Sequence, residues 1–479
     1  MSNRVLQDPG LPARQPTASY WQQPLHSGLS GIQSTSLPTN RDVVIIGSGI
    51  TACNVARELL QSRRDLTLTV LEAREVCSGA TGRNGGRINC VAVLDYDKYY
   101  RKFGKEAATK IVRFELAHFD AIQNAAKDLG LEDFEKSEVR EVGTCAAVFE
   151  DKQLEDLKQK LANFEAAFPD LQGRWRIADQ KEAIETFKIP KAKGALVGQA
   201  GAAWPYRLIT SIWASLLTSH SGRLTIESNT PATNIRRAGV NADYPYAIST
   251  PRGVVRARHI FHCTEGHASH LIPGLRGIIV PRRGEMTVQT PGDQFHQKDG
   301  AYSWSFYFPH GFDYLTQNAR SGELFVGGGD VGGEEALMQP LGMGSDAEEI
   351  ITAKAHLAGV LGVVFGQENP GDPPKMRASW TGIMANTLDG VPLVGMLPQS
   401  ALDRTAGDRN SAEWICAGYG GYGMVNAWLC GRAVVKMFSG EDVRDWFPGE
   451  YVMSSERMER LQEKLEKVKG SQMHLKALL

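Results

Sequence analysis

The chain has 479 residues, 42% hydrophobic and 22% charged, enough to bury a large core and, at ordinary domain sizes, to form two domains. A formal net charge of -1 offers no basic field for nucleic acid or an anionic membrane, and no apolar run of about 18 residues is present to span a bilayer. The seven cysteines are scattered without a C-x-x-C pair, which argues against a disulfide framework or a metal site and for a reducing compartment, with the cytoplasm as the expected location.

Residues 1–41 are rich in proline and serine and lack apolar periodicity. They read as an extended N-terminal arm lying on the surface or partly disordered, with Tyr20 and Trp21 of SYWQQ available to anchor it. From Asp42 to Asn89 the pattern sharpens. Val43 to Ile46 is a β-branched run, as in a buried parallel strand. Gly47, Gly49 and Ala52 then fill G-x-G-x-x-G/A as the chain turns into a helix through Ile50 and Thr51. Phosphate is expected on the free N–H groups at that helix start. Leu66 to Leu71 is a second strand, and Glu72 at its end stands where an acid takes ribose hydroxyls, followed by Ala73 and Arg74. Strand, turn, helix, strand and acid in this order predict a dinucleotide site.

Further along, Lys105 to Leu129 has the apolar spacing of one amphipathic helix, with Phe114 and His118 expected as packing and surface residues on its flanks. Glu138 to Phe149 reads as strands and Lys152 to Ala167 as a charged helix. Trp204 to His220 is a helix opened by Pro205. Leu224 to Ile235 and Val254 to Cys263 read as strands, the latter closed by the turn Thr264, Glu265, Gly266. Residues 278–329 alternate strands and turns as a mostly antiparallel sheet, and Ala347 to Phe365 is helical. Trp414 to Phe438 repeats strand, glycine turn and helix. The segment from Ser454 onward is a charged helix expected to be a solvated face.

Several motifs together resemble the D-amino-acid oxidase superfamily of FAD-dependent oxidoreductases. They are GATGRNGG at 79–86, AGYGGYG at 417–423, WTGIMANTLDGVPLVG at 380–395, PYRLI at 205–209 and VPRRGEM at 280–286. The RNGG loop and the SYW arm are most similar to the gamma-glutamylputrescine oxidoreductase-like group. The resemblance implies an α/β plus α+β fold: a Rossmann-like FAD-binding domain assembled from discontinuous segments (42–100, 203–277 and 375–445) and an antiparallel-sheet substrate domain (101–202 and 278–374), with 446–479 as a charged tail. FAD would lie along Gly79, Ala80, Thr81, Arg83, Asn84, Gly85 and Gly86, with Arg83 meeting phosphate or holding the loop. Ala232, Thr264 and Gly266 would line the same cofactor. Gly420, Gly421, Tyr422, Gly423 and Met424 would present backbone amides to the pyrimidine end of the flavin.

Two departures from the family pattern carry consequences. Gly382 stands where sarcosine oxidase-like relatives attach the flavin through cysteine, so non-covalent FAD is expected. Val425 replaces their carboxylate-binding lysine, which disfavours a simple N-methyl amino acid unless an arginine elsewhere substitutes. The implied chemistry is oxidation of a C–N bond in an amine or amino-acid derivative, giving an imine. Molecular oxygen is the expected acceptor, with hydrogen peroxide formed, and an amine dehydrogenase or a non-redox flavin protein are the alternatives. For the substrate pocket the candidates are Tyr422, Tyr314, Gln317, Trp304 and one of the neighbours Arg282 and Arg283, with Arg283 preferred, although strand alternation forbids all of them from pointing inward. Trp304 and Trp380 are candidates to box an amine by cation–π contact worth about 0.5–2 kcal/mol. Lys298 is the candidate for oxygen activation. His262, His267 and His270 are expected to pack, no metal ligand set is apparent, and the oligomeric state is open.

Overall fold

The computed structural model describes residues 4–238, 242–292, 295, 299–330, 332, 338–366 and 374–468. Two sheets organise them. The first has five parallel strands in the order Glu413–Ala417, Gly253–His262, Asn40–Ile46, Leu68–Leu71, Leu224–Glu227, edged by antiparallel Leu393–Met396 and by Asn234–Arg237 and Tyr246–Thr250. The opening strand lies at the point where the order reverses, so its glycine turn faces a crevice at the carboxyl edge, the usual ligand position in such sheets. Val43, Val44 and Ile45 are wholly buried there because helices cover one face and the antiparallel ribbon of Asn234–Arg237 and Tyr246–Thr250 covers the other. Helix Ile50–Ser62 follows the turn and packs against Ala427–Phe438, where a Cβ on Gly431 would come within 3.1 Å of the Thr51 carbonyl.

The second sheet runs Lys375–Thr387, Ile279–Thr290, Leu324–Gly328, Gly311–Gln317, Tyr302–Phe308, Arg140–Val148, Gly194–Ala202, Arg87–Ile88. Lys375–Thr387, grouped by sequence with the FAD-binding unit, pairs along its whole length with Ile279–Thr290 and belongs to this sheet. Arg87–Ile88, also grouped with that unit, closes its far edge. No helix among the described residues is long and apolar enough to cross a membrane.

Three expectations change. The amphipathic stretch at 105–129 is two helices, Lys105–Leu116 and His118–Lys127, and His118 is fully buried rather than on a surface flank. The terminal helix Ser455–Val468 buries Met458, Leu461 and Leu465 in a core cluster, so only its other faces are solvated. The arm is docked. Trp21 stacks on Phe325 with centroids 3.7 Å apart and meets Trp204 edge-on at 5.0 Å, because two aromatic residues with nowhere else to bury find an apolar slot between the sheets.

Candidate active site

The glycine turn is sterically obligatory. Gly47 has φ +103°, and a Cβ there would lie 2.5 Å from the Cys263 carbonyl oxygen. A Cβ on Gly49, the N-cap of the first helix, would lie 2.9 Å from the Thr81 hydroxyl, which itself accepts the Ile50 N–H at 3.0 Å. The loop 79–86 is thereby held on the helix start. Thr51 reaches the final glycine loop through its hydroxyl, 2.9 Å from the Tyr419 hydroxyl. Glu72 is buried, accepting the Ser48 hydroxyl at 2.6 Å and the Arg74 N–H at 2.9 Å, and Ala73 follows it. Ala232 packs beside Ile46 and Leu71.

Both arginines of this region are spent on architecture. Arg83 donates to the Thr381 carbonyl and to Thr17 and stands 3.4 Å from Asp346. Burial lowers its pKa to about 10. Arg74 shares Asp346 at 3.0 Å. Of the two roles expected of Arg83, the structure places it in the second, holding the loop. Asn84 turns back on the Thr81 carbonyl and caps Gly86 N–H at 2.7 Å. A Cβ on Gly86 would strike the Ala203 carbonyl and the Trp21 ring, so arm and loop fit only with glycine there. Gly382 sits against the Arg83 side chain and offers no nucleophile.

Sequence reasoning treated Glu265 as a turn residue, yet it organises the last loop. Its carboxylate accepts N–H groups from Ala385 at 3.1 Å, Gly418 at 2.8 Å and Tyr419 at 3.1 Å, and its backbone adopts φ +45° to do so. Burial raises its pKa to about 7, against the pull of those three donors. Gly420 and Gly421 both have positive φ, and a Cβ on Gly420 would meet nothing, so the loop presents bare backbone. Gly423 begins a short turn with the buried Met424. Gly266 is needed for packing, since a Cβ would lie 2.7 Å from Ile383, while the Thr264 hydroxyl is buried without a partner. His262 packs against Glu413, and His267 and His270 against the arm.

The opposite wall comes from the second sheet. Its strand alternation puts Ser303, Ser305 and Tyr307 on one face and Tyr302, Trp304 and Phe306 on the other. Trp304 is therefore not in the pocket: it packs among Phe295, Tyr302 and Phe365. Trp380 lies in a different core cluster and donates to the Arg83 carbonyl, so the two tryptophans form no box. Gln317 points away as well, bonded to Gly300 and Gly322. Of the adjacent arginines, Arg282 faces the pocket side, paired with Asp330 at 2.6 Å, whereas Arg283 faces Glu348 at 3.6 Å. The preference for Arg283 is reversed. Lys298 lies outside the described residues.

Tyr314 does reach the site. A Cβ on Gly85 would lie 2.3 Å from its ring, and its hydroxyl is 3.1 Å from the Met286 sulfur. Tyr422 is 40% exposed at the rim. Between them stands a residue that no motif announced. Arg87 donates to the Ser305 hydroxyl at 2.8 Å, and its guanidinium lies 5.3 Å from the Tyr314 ring centroid. Its Nε is buried with no partner. The only sequence signal was a basic residue directly after the glycine loop, in GGRIN.

The cradle fits the cofactor implied by the motifs. A tight glycine turn at a switch point, an acid at the second strand end, a glycine-rich loop whose Arg83 and Asn84 side chains are bonded elsewhere and a second loop of exposed backbone together suit FAD. Among the described residues no three histidines, cysteines or acids are grouped to hold a metal. Over residues 42–437 the chain matches the family described as FAD dependent oxidoreductase (DAO). It is 24% identical over 259 residues to the "Putative Rieske 2Fe-2S iron-sulfur protein YhfW" of Bacillus subtilis (strain 168), and the match takes in 53% of this chain and 45% of that protein. The chain thus spans less than half of that relative's length. Glycine oxidase from Geobacillus kaustophilus superposes with a TM-score of 0.65 at 15% identity, over 87% of this chain and 99% of that one. L-amino acid deaminase from Proteus vulgaris, lacking its specific insertion, gives 0.62 at 14%, over 90% and 98%. At these identities the likeness is one of fold.

Proposed function

The chain belongs to the DAO family of FAD-dependent oxidoreductases, and from that premise we propose that it oxidises a C–N bond in an amino-acid derivative, giving an imine. FAD, when bound, supplies the acceptor for the hydride lost from the carbon beside nitrogen. The observation that carries the substrate half of the reading is Arg87, a half-buried guanidinium with an unpartnered Nε beside Tyr314. Burying an arginine without an anion is costly, and burial lowers its pKa. A substrate carboxylate would supply the missing acceptor, taking the place of the lysine that Val425 lacks. Held there, the substrate would be walled by Tyr314 and Tyr422. Its nitrogen, bound as the neutral amine, assists hydride loss with its own lone pair, so no dedicated base is needed at carbon. We read molecular oxygen as the acceptor, with hydrogen peroxide formed and FAD held non-covalently.

The test is anaerobic titration of the holoprotein with amino acids, N-substituted amino acids and plain amines. Bleaching of the flavin by carboxylate-bearing amines is expected. Replacing Arg87 by Met should raise their apparent dissociation constants about 30-fold, the worth of a charge-assisted hydrogen bond. Failure of every amine to bleach the flavin would sink the proposal. Admitting air to the reduced protein then measures reoxidation, and slow recovery would favour an acceptor other than oxygen.

A further inference from the structure

Beside the tyrosines, a second ionisable group lies buried without a counter-ion among the described residues. Glu115, at the end of helix Lys105–Leu116, is 3% exposed, and its partners are the Tyr99 hydroxyl at 3.0 Å, the Cys90 thiol at 3.4 Å and the Asn426 amide at 3.5 Å. The side-chain oxygen of Asn426, on the same planar amide and 2% exposed as a residue, has no partner. Of these groups Glu115 and Cys90 line a cleft of about 80 Å³ together with Ile88 and Val425, with the acids Asp120 and Glu141 at its exposed mouth. One cation, the exposed Arg174, lines the same mouth. Tyr422 links this cluster to the other tyrosine: its carbonyl accepts the Asn426 amide at 3.2 Å, and its hydroxyl feels both Asp95 and Glu115.

We propose that this cleft is a cation subsite for an alkylammonium group, with Glu115 as its counter-ion. The reasoning is electrostatic and geometric. A buried carboxylate without a cation is expensive. An ammonium, with its three N–H donors on a narrow stem, supplies that cation and fits a space of this size. The acids at the mouth attract such a cation and repel anions. Resting on the oxidation proposed above, the inference specifies its substrate: a dipolar molecule with its carboxylate at Arg87 and an ammonium beyond Tyr422. From the elements packed around it, Glu115 faces Cys90, Asp95, Tyr99, Tyr422, Cys430 and Tyr451. Burial and then Asp95 raise its pKa to about 7.

The test uses the oxidised holoprotein and no turnover, so it is independent of whether any amine reduces the flavin. Binding of n-butylammonium, butan-1-ol and butanoate is measured by calorimetry and by perturbation of the flavin spectrum between pH 5.5 and 8.5. The expected result is that n-butylammonium binds at least 10-fold more tightly than the alcohol at pH 8. That advantage should shrink as pH falls through about 7, where Glu115 takes up its proton. In Glu115→Gln the advantage and its pH dependence should both vanish. Glu141→Gln, at the exposed mouth where folding is not at risk, should weaken the cation about 2-fold to 3-fold. Equal binding of cation and alcohol by the unaltered protein, or an unchanged preference in Glu115→Gln, would overturn the proposal. Should Glu115→Gln not fold, the pH profile of the unaltered protein decides alone.

Discussion

At the scale of single residues, the fold buries carboxylates whose ionisation opposes folding. Burial raises Glu115, Glu265 and Glu285 to about 7 from an ordinary value of 4.5. For an acid whose folded pKa is raised, the folded chain binds more protons than the unfolded one between those values. Stability is therefore greatest below about 4.5 and falls as pH rises to about 7. For each fully buried group the upper limit is on the order of 3 kcal/mol. Glu413 works the other way: burial would raise it, but Arg404 and His262 hold it down at about 2, so its contribution is lost only in strong acid. The melting temperature is expected to drop between pH 5 and pH 8, and Glu115→Gln should flatten part of that slope. A slope unchanged by the substitution would show that Glu115 stays neutral throughout. Glu265→Gln should behave differently, because an amide presents one N–H donor to backbone N–H groups that need an acceptor. It is expected to weaken FAD retention, measured by the dissociation constant of the released cofactor.

The elements show where sequence was legible and where it was not. The FAD-binding half declares itself because its strand, turn, helix, strand and acid are consecutive, and each step has its own steric demand. Strand Tyr302–Phe308 was misread because large residues occur at both parities in YSWSFYF. Trp304 was a pocket candidate, yet it is the serine-bearing face, with Ser303, Ser305 and Tyr307, that leaves room for one. Arg87, Glu115 and Asn426 come from a two-residue strand, a helix end and a turn far apart in sequence, so no local pattern joins them. The break at Ala117 is also invisible locally, since the apolar period runs on without Gly or Pro. Its cause is tertiary: His118 Nδ1 bonds the Phe114 carbonyl at 2.8 Å, and Nε2 accepts the Leu429 N–H at 3.2 Å, capping the start of helix Ala427–Phe438. Burial lowers His118 to about 4, which keeps it neutral and able to accept. His118→Leu should cost about 1–3 kcal/mol through the orphaned Leu429 N–H, read by denaturant unfolding. The terminal helix deceived by its charges, and Met458→Ala should cost about 2–5 kcal/mol if its buried stripe matters as the packing indicates.

For the molecule as a whole, the two sheets are joined by more than the cofactor crevice. The arm crosses between them, with Ser19 bonded to Gly82, Trp21 wedged against Phe325 and Trp204, and Thr17 tied to Arg83 and Thr381. Truncating Trp21 to Ala should remove about 3–5 kcal/mol of packing. Because the ring also lies against Gly86, the substitution should speed FAD release on gel filtration. Retention of FAD at the original rate would show that the loop holds its shape without the arm.

That same wedge has a consequence for the order of events during synthesis. The arm leaves the ribosome long before its seats at Trp204, Phe325 and Thr381 emerge. Until residue 325 is made, the nascent chain has its cofactor loop and its first half-sheet but not the ring on which Trp21 stacks, and until residue 381 it lacks the Thr17 tie. The last strand of the second sheet thus acts as the timer, and closure of the loop is written into the chain as its late step.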